Sequence, residues 1–167
     1  MPVAINIEPY NPGWPDLYHL EAGRIQTALG DRALQLEHTG STSVPGLPAK
    51  PIIDILLAVA DSAAEDAYVP ALESAGYVLR IREPGWYQHR MFNARHANVN
   101  LHVFSAGCPE IDRILLFRDW LRNHPADRGL YAQTKLALAR QEWNSVDDYA
   151  NAKTEVIGQI IGRAIRR

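Results

Sequence analysis

The residues best placed to do chemistry lie in and around EHTGSTSVPGLPAKPIIDILLAV, residues 37 to 59. Gly40 and Gly46 permit positive φ and close backbone approach, and Ser41, Thr42 and Ser43 add hydroxyls. Successive backbone N–H groups in such a turn can cradle an anion. The spaced Gly-Lys-Ser/Thr ending of a Walker loop is absent, and the same composition also suits a plain connection between two strands. What singles out this turn is Asp54, fourteen residues after Gly40 in the apolar run PIIDILLAV. An ionised carboxylate inside a strand must be paired, hydrogen-bonded or bound to a cation. Lys50 is one candidate partner, but residues four apart on a strand are well separated along it. Backbone N–H groups or another base would serve equally.

A second polar set is His38, His89 and His102 with Arg90. Three histidines from separate strands would make a metal site or supply a base if they converged, although none has a local ligand spacing. Arg118 and Arg122 are four apart and share a helix face, which suits a phosphate or carboxylate unless Asp119 and nearby acids take them first. Trp86, Tyr87 and Trp120 are of the type that stacks on a base and equally of the type that packs a core.

These groups need elements to position them. Turn chemistry at 11–15 precedes a helix over 15–29, ended by Gly30. ALQLEHTG (33–40) reads as a strand broken at Thr39-Gly40, and 51–59 as a central strand buried on both faces. A helix over 62–76 contains Pro70, an awkward interior residue. Strands follow at 77–81 and 87–93 around a turn at 83–86. In the strand over 97–105, Val99, Leu101 and Val103 share one face while Asn98, Asn100 and His102 share the other. PEIDRILLFRDWLRNHP, DRGLYAQTKLALARQEW and SVDDYANAKTEVIGQIIGRAI then give three helices, the last opened by a Ser145/Asp148 capping pair. The order predicts an α+β fold, a small mixed β-sheet covered by helices with a helical C-terminal half.

Composition sets outer limits. The 167 residues, 47% hydrophobic, suit one domain over 1–167. With 17 basic against 19 acidic residues, no overall field draws nucleic acid, so no specific nucleic-acid partner is expected. Cys108, the single cysteine, excludes an internal disulfide framework and reads as a small residue ahead of a helix. No signal peptide or membrane-spanning run is evident, which makes the cytoplasm the expected location. Oligomeric state is not encoded in any motif.

The segments YNPGWPDLY, EHTGSTSVPGLPAKPIIDI, REPGWYQHRMF, NVNLHVF, CPEIDRILLFRDWLRNHPADRGLYAQTK and DYANAKTEVI, in this order, resemble the GrpB-like proteins. These are placed in the nucleotidyltransferase superfamily, which includes polymerase-beta-like enzymes. The resemblance implies a nucleotidyltransferase-like mixed sheet, with Gly40-Ser41 as the superfamily's Gly-Ser turn and Asp54 as its first metal-binding carboxylate. It also exposes a departure. The superfamily's strand carries Asp-x-Asp/Glu, plus a third acid on a neighbouring strand, for two Mg²⁺ ions; here the triplet is Asp54-Ile55-Leu56. Where the third acid is expected, NVNLHV offers Asn98, Asn100 and His102, whose neutral groups favour Zn²⁺ or Mn²⁺ over paired Mg²⁺. Glu37 would restore a second acid if it pointed inward, in which case its neighbour His38 would point away.

The function implied is binding of a nucleotide or related phosphorylated small molecule, with transfer of a nucleotidyl group to a small-molecule acceptor assisted by a divalent cation, Mg²⁺, Mn²⁺ or Zn²⁺. Gly40, Ser41, Thr42, Ser43 and Lys50 would hold phosphate together with Arg118 and Arg122. Lys135 and Lys153 join them by analogy with helical lysines of the superfamily. Asp54, His102 and Glu37 would hold the cation, with His102 or His38 as base. One competing reading is a catalytically degenerate accessory or partner-binding module, since similar proteins occur fused to a dephospho-coenzyme A kinase. Another is a His-containing metal-dependent hydrolase.

Overall fold

The period-two pattern of NVNLHVFS sets the sheet. In the computed structural model, which describes residues 2–166, β5 (Val99–Ser105) buries Val99, Leu101 and Val103 against Ile53, Ile55, Leu57 and Val59 of β2 (Ile53–Val59). The two strands run parallel, Asp54 beside Asn100 and Leu56 beside His102. β1 (Gln35–Thr39) pairs antiparallel with the other edge of β2. Beyond β5 come β4 (His89–Ala94) and β3 (Tyr77–Glu83), both antiparallel, for a five-stranded mixed sheet of order β1-β2-β5-β4-β3. The expected α+β architecture is thus observed. Met1 and Arg167, the end residues of the expected 1–167 domain, lie outside the described residues.

One face is covered by α1 (Trp14–Leu29) and α2 (Val69–Ser74). Asn11 Oδ1 accepts the Gly13 N–H at 2.8 Å to start α1, whose Trp14, Tyr18, Ile25 and Leu29 enter the main core. The helix expected over 62–76 is shorter: a 3-10 turn at Glu65–Ala67 leads to α2, with Pro70 in its first turn. There the missing N–H is no loss, so Pro70 opens the helix instead of interrupting it. Ser62 is buried outside any helix, donating to the Gln88 carbonyl at 2.8 Å.

The other face meets α3 (Pro109–Asn123), α4 (Pro125–Ala139), α5 (Val146–Ala152) and α6 (Thr154–Arg166). The last expected helix is therefore two. The Lys153 N–H turns back to the Ala150 carbonyl at 3.3 Å, a tighter bond that ends α5 before α6 begins. Ser145 Oγ does cap α5, accepting the Asp148 N–H at 3.1 Å. Leu56, Ala58 and Phe104 pack with Ile111 beneath α3, and Val44 and Leu47 of the Gly/Ser loop join Leu121, Tyr131, Val156 and Ile160. No helix among the described residues is long and apolar enough to cross a membrane.

Burial gives the fold an acid-sensitive lock. His38 stacks on Tyr18 with ring centroids 4.9 Å apart, and burial pushes its pKa down to about 4. The unfolded chain then takes up a proton from about pH 6.5 while the folded one does not until near pH 4, so stability falls as pH drops through that window, by roughly 3 kcal/mol at most. Hydrogen bonds from Arg82 and Arg90 hold Glu65 at about 2, and this contribution is lost as pH falls from about 4.5 toward 2. Urea midpoints should therefore decline steadily from pH 7 to pH 4, and His38→Gln should flatten the part of that decline above pH 4.5.

Candidate functional site

Asp54 and His102 project from the face of the sheet opposite the main core, at the end of β2 and β5 that α3 leaves uncovered. The Gly/Ser turn walls one side of this area and α5 roofs it, enclosing a cavity of about 350 Å³. Asp54 is only partly buried, its side chain 29% exposed, so the strand that looked doubly buried opens at its first polar position. The approach of the turn is tight. Gly40 sits at φ 69°, ψ −177°, and a Cβ there would lie 2.9 Å from Asp54 Cβ and Cγ and closer still to Oδ2. Only glycine lets the turn close over the carboxylate.

Two of the turn's three hydroxyls, Thr42 and Ser43, are spent on its own architecture, while Ser41 lines the cavity. Thr42 donates to the Ile52 carbonyl at 3.0 Å and so accepts from His38 Nε2, also at 3.0 Å. Ser43 donates to the Gly40 carbonyl at 2.5 Å, and Ser41 meets the Tyr131 hydroxyl. What the cavity offers an anion is cationic instead. Lys50 at the start of β2, Lys135 on α4 and Lys153 at the end of α5 all line it, against two carboxylates, Asp54 and Asp147. Lys50 and Lys153 lie over the Tyr149 ring at 5.6 and 4.9 Å, and Lys135 over Tyr131 at 5.0 Å. Lys135 is buried and donates to the Pro48 carbonyl at 2.5 Å. Burial first, then the neighbouring lysine charges, brings Lys135 down to about 7 and Lys153 to about 8. Above them the Tyr149 hydroxyl, on a fully buried residue, has no hydrogen-bond partner.

Several expected site residues lie elsewhere. Glu37 and His38 do point to opposite faces, as strand geometry requires, but Glu37 is bound by Arg118 at 2.6 Å and does not reach the cavity. His38 is on the core side, fixed to Thr42. Arg118 also donates to the His38 carbonyl at 3.1 Å, and Arg122 to the Ser43 carbonyl at 2.9 Å, so both tie α3 to β1 and the turn rather than lining the cavity. Trp120 stacks on His124 and donates to Asp127 at 2.6 Å within the helical half. His89 reaches His102 but not His38, so the three histidines do not converge.

These placements decide the metal question on donor chemistry. Leu56 is fully buried under α3, Glu37 is taken by an arginine, and lysines surround the one carboxylate left beside His102. Among the described residues no group of three or more His, Cys, Asp or Glu is arranged to hold a cation. The donor set does not fit the two-cation centre of nucleotidyl transfer. Sequence reading did not single out Tyr149, although it lies in the segment DYANAKTEVI, or Glu83, whose role appears only through strand pairing. A larger hollow of about 800 Å³ is an open furrow between α1 and α2 without convergent charge, and we place the site in the lysine-lined cavity.

Fold and cavity define a class of protein: a mixed-sheet α+β domain in which a glycine turn, one strand carboxylate and three lysines enclose a polar hollow. The chain belongs to the GrpB family, described as GrpB protein, whose profile matches residues 4–163. A UPF0157 protein of Halalkalibacterium halodurans is 56% identical over 161 residues, 96% of this chain and 83% of that one. A dephospho-CoA kinase of Mycolicibacterium paratuberculosis is 31% identical over 175 residues, 89% of this chain but 43% of that protein. The crystal structure of the conserved protein GrpB from Enterococcus faecalis is similar with a TM-score of 0.85 at 32% identity, covering 96% of this chain and 98% of that one.

The steric role of Gly40 is open to a paired test. Gly40→Ala should cost on the order of 1–3 kcal/mol of stability through backbone strain and displacement of Asp54. Gly23→Ala, in α1 where an added Cβ would meet nothing within 4 Å, should instead stabilise by up to about 1 kcal/mol. Urea unfolding of the two variants beside the wild type checks both signs.

Proposed function

We propose that the cavity binds a nucleotide or related phosphorylated small molecule, with nucleotidyl or phosphoryl transfer as the reaction its layout serves best. The carrying observation is the convergence of Lys50, Lys135 and Lys153 on one hollow lined by Tyr149, whose ring lies under two of them. Ammonium groups brought together and partly desolvated are costly on their own, and a di- or triphosphate supplies the compensating charge. Asp54 and His102 face the same space and are the groups that would meet an acceptor hydroxyl. The five-stranded mixed sheet and the close approach of Gly40 to Asp54 are what supports the resemblance to that superfamily. Lacking a protein-held pair of cations, the site would leave charge compensation to its lysines.

A second reading has its own support. Leu56 stands where a catalytic acid belongs in the superfamily, and proteins named dephospho-CoA kinase contain a related region. A ligand-binding accessory module that performs no transfer accounts for both.

Thermal unfolding with ATP, CTP, GTP or UTP, each with and without Mg²⁺ or Mn²⁺, tests the binding. Ligand at a hundredfold over its Kd should stabilise by about 2.7 kcal/mol, and Lys153→Ala should lose most of the upward shift in Tm. No shift with any nucleotide would overturn the proposal. Bound nucleotide that stays intact in wild type and Asp54→Asn alike, with Mg²⁺ or Mn²⁺ present, would favour the accessory module. The lysines also set a pH dependence. Lys135 near 7 and Lys153 near 8 lose charge as pH rises, so affinity should fall above pH 7, and binding at pH 8 should take up protons. Calorimetry in two buffers of different ionisation enthalpy measures that uptake directly.

A further inference from the structure

A line of four titratable side chains, one from each of four strands, crosses the sheet into the cavity. Glu83 Oε1 on β3 lies 2.7 Å from His89 Nδ1 on β4, and His89 Nε2 lies 3.0 Å from His102 Nδ1 on β5. His102 Nε2 then lies 3.4 Å from Asp54 Oδ1 on β2. Strand register builds this line: Glu83 is the cross-strand partner of His89, and His102 is the partner of Met91, two residues along the same face. Three of its members are partly exposed and His89 is not. The Glu83 side chain is 45% exposed, whereas His89 is 5% exposed beneath Trp86, with Phe104 at 4.9 Å.

A carboxylate stands at each end of the line, and the shorter contact, 2.7 Å at Glu83 against 3.4 Å at Asp54, takes the proton. A carboxylate only accepts, so the Glu83 contact puts the proton of His89 on Nδ1. Burial lowers the pKa of His89 and favours its neutral ring, whose Nε2 must then accept. The proton of the contact between the two rings therefore belongs to His102 Nδ1. The two neutral rings have two protons for three contacts, and the contact left without one is the longest, His102 Nε2 to Asp54 at 3.4 Å on partly exposed side chains, so the Nε2 lone pair stays free toward the cavity. The backbone that presents His89 is also unusual, since Tyr87 and Gln88 just before it hold positive φ of 55° and 51°.

We propose that Glu83 and His89 are positioning residues that hold His102 in its Nδ1–H tautomer, making His102 Nε2 the proton acceptor for a hydroxyl nucleophile at the cavity's phosphate. In the step this serves, the nucleophile's O–H proton passes to Nε2 while its oxygen bonds to phosphorus. The bond from phosphorus to the leaving phosphate oxygen breaks, and its electron pair stays with that oxygen. The imidazolium so formed donates Nε2–H to Asp54 and Nδ1–H to His89. Asp54 from β2, Lys50, Lys135 and Lys153 face His102 across the cavity, and Glu83 and Arg90 act on His89 from behind. The phosphate in this step rests on the binding reading above; the tautomer does not.

The experiment is long-range ¹H–¹⁵N correlation of the histidine rings in ¹⁵N-histidine-labelled protein, at alkaline pH where the rings are neutral, with His102 assigned from the spectrum of His102→Asn. Wild-type His102 should be protonated on Nδ1 and bare on Nε2. Glu83→Ala, an exposed site that leaves the core intact, and His89→Phe, which keeps an aromatic ring in place, should each bring in the Nε2–H form. ATP added to the labelled wild type should shift His102 Nε2 while leaving His38 in place. A wild-type His102 protonated on Nε2, or a tautomer unmoved in both variants, overturns the proposal, and an ATP titration that leaves His102 unmoved while Tm rises removes His102 from the phosphate. Absence of any nucleotide-induced Tm shift counts against the binding reading alone, because the tautomer measurement needs no ligand.

Discussion

The register of β2 against β5 is the constraint from which the rest follows. Parallel pairing of Asp54 with Asn100 and Leu56 with His102 puts every odd-numbered residue of the two strands from Ile53 to Val59 and from Val99 to Val103 into the core under α1 and α2. The even-numbered ones face the cavity or α3. A slip of one residue would exchange these two sets completely. Such a register is well specified because seven apolar side chains depend on it, namely Ile53, Ile55, Leu57, Val59, Val99, Leu101 and Val103. The polar side of the sheet inherits its order from this hydrophobic one, and neither Asp54 nor His102 needs any local device to bring it beside the other.

The same face is divided along its length. Near the start of β2 it is polar and roofed by a short helix; from Leu56 onward it is apolar and sealed by Ile111 of α3. This division accounts for the missing second acid in structural terms. A carboxylate in place of Leu56 would be desolvated beneath α3, among Ala58, Phe104 and Ile111. The charges that the cavity does gather are lysines, approaching from the start of β2, from α4 and from the break between α5 and α6. The cost of holding them together is visible in their depressed pKa values, and aromatic faces at Tyr131 and Tyr149 offset part of it.

Strand placement was largely legible in the sequence, because period-two alternation around Val99–Ser105 and the apolar run around Asp54 are direct readouts of burial. Helix boundaries were less so. Pro70 and Lys153 mark a start and a break that periodicity alone does not reveal, since both depend on which carbonyls the neighbouring N–H groups reach. The candidate site was legible at Gly40, Asp54, Lys50 and His102, whose type and position carry their role. It was illegible at Arg118, which finds Glu37 across 81 residues, and at Tyr149, whose ring lies under two of the lysines. Two of the turn hydroxyls, Thr42 and Ser43, misled for a physical reason: a Ser/Thr-rich turn satisfies nearby carbonyls before it offers anything to a ligand.

Arg118 and Arg122 also bear on how the protein behaves among copies of itself. β1 is an outermost strand, hydrogen-bonded to β2 on one side only. A strand with a bare flank is a template onto which another chain can add, and soluble sheet proteins blunt such flanks with charge or cover. Here Arg118 donates to the His38 carbonyl on β1 and Arg122 to the Ser43 carbonyl in the turn that follows, so α3 is tied against this flank. The two arginines thus hold α3 along the outer flank of β1, a cover of the kind that keeps an edge strand from pairing with another copy.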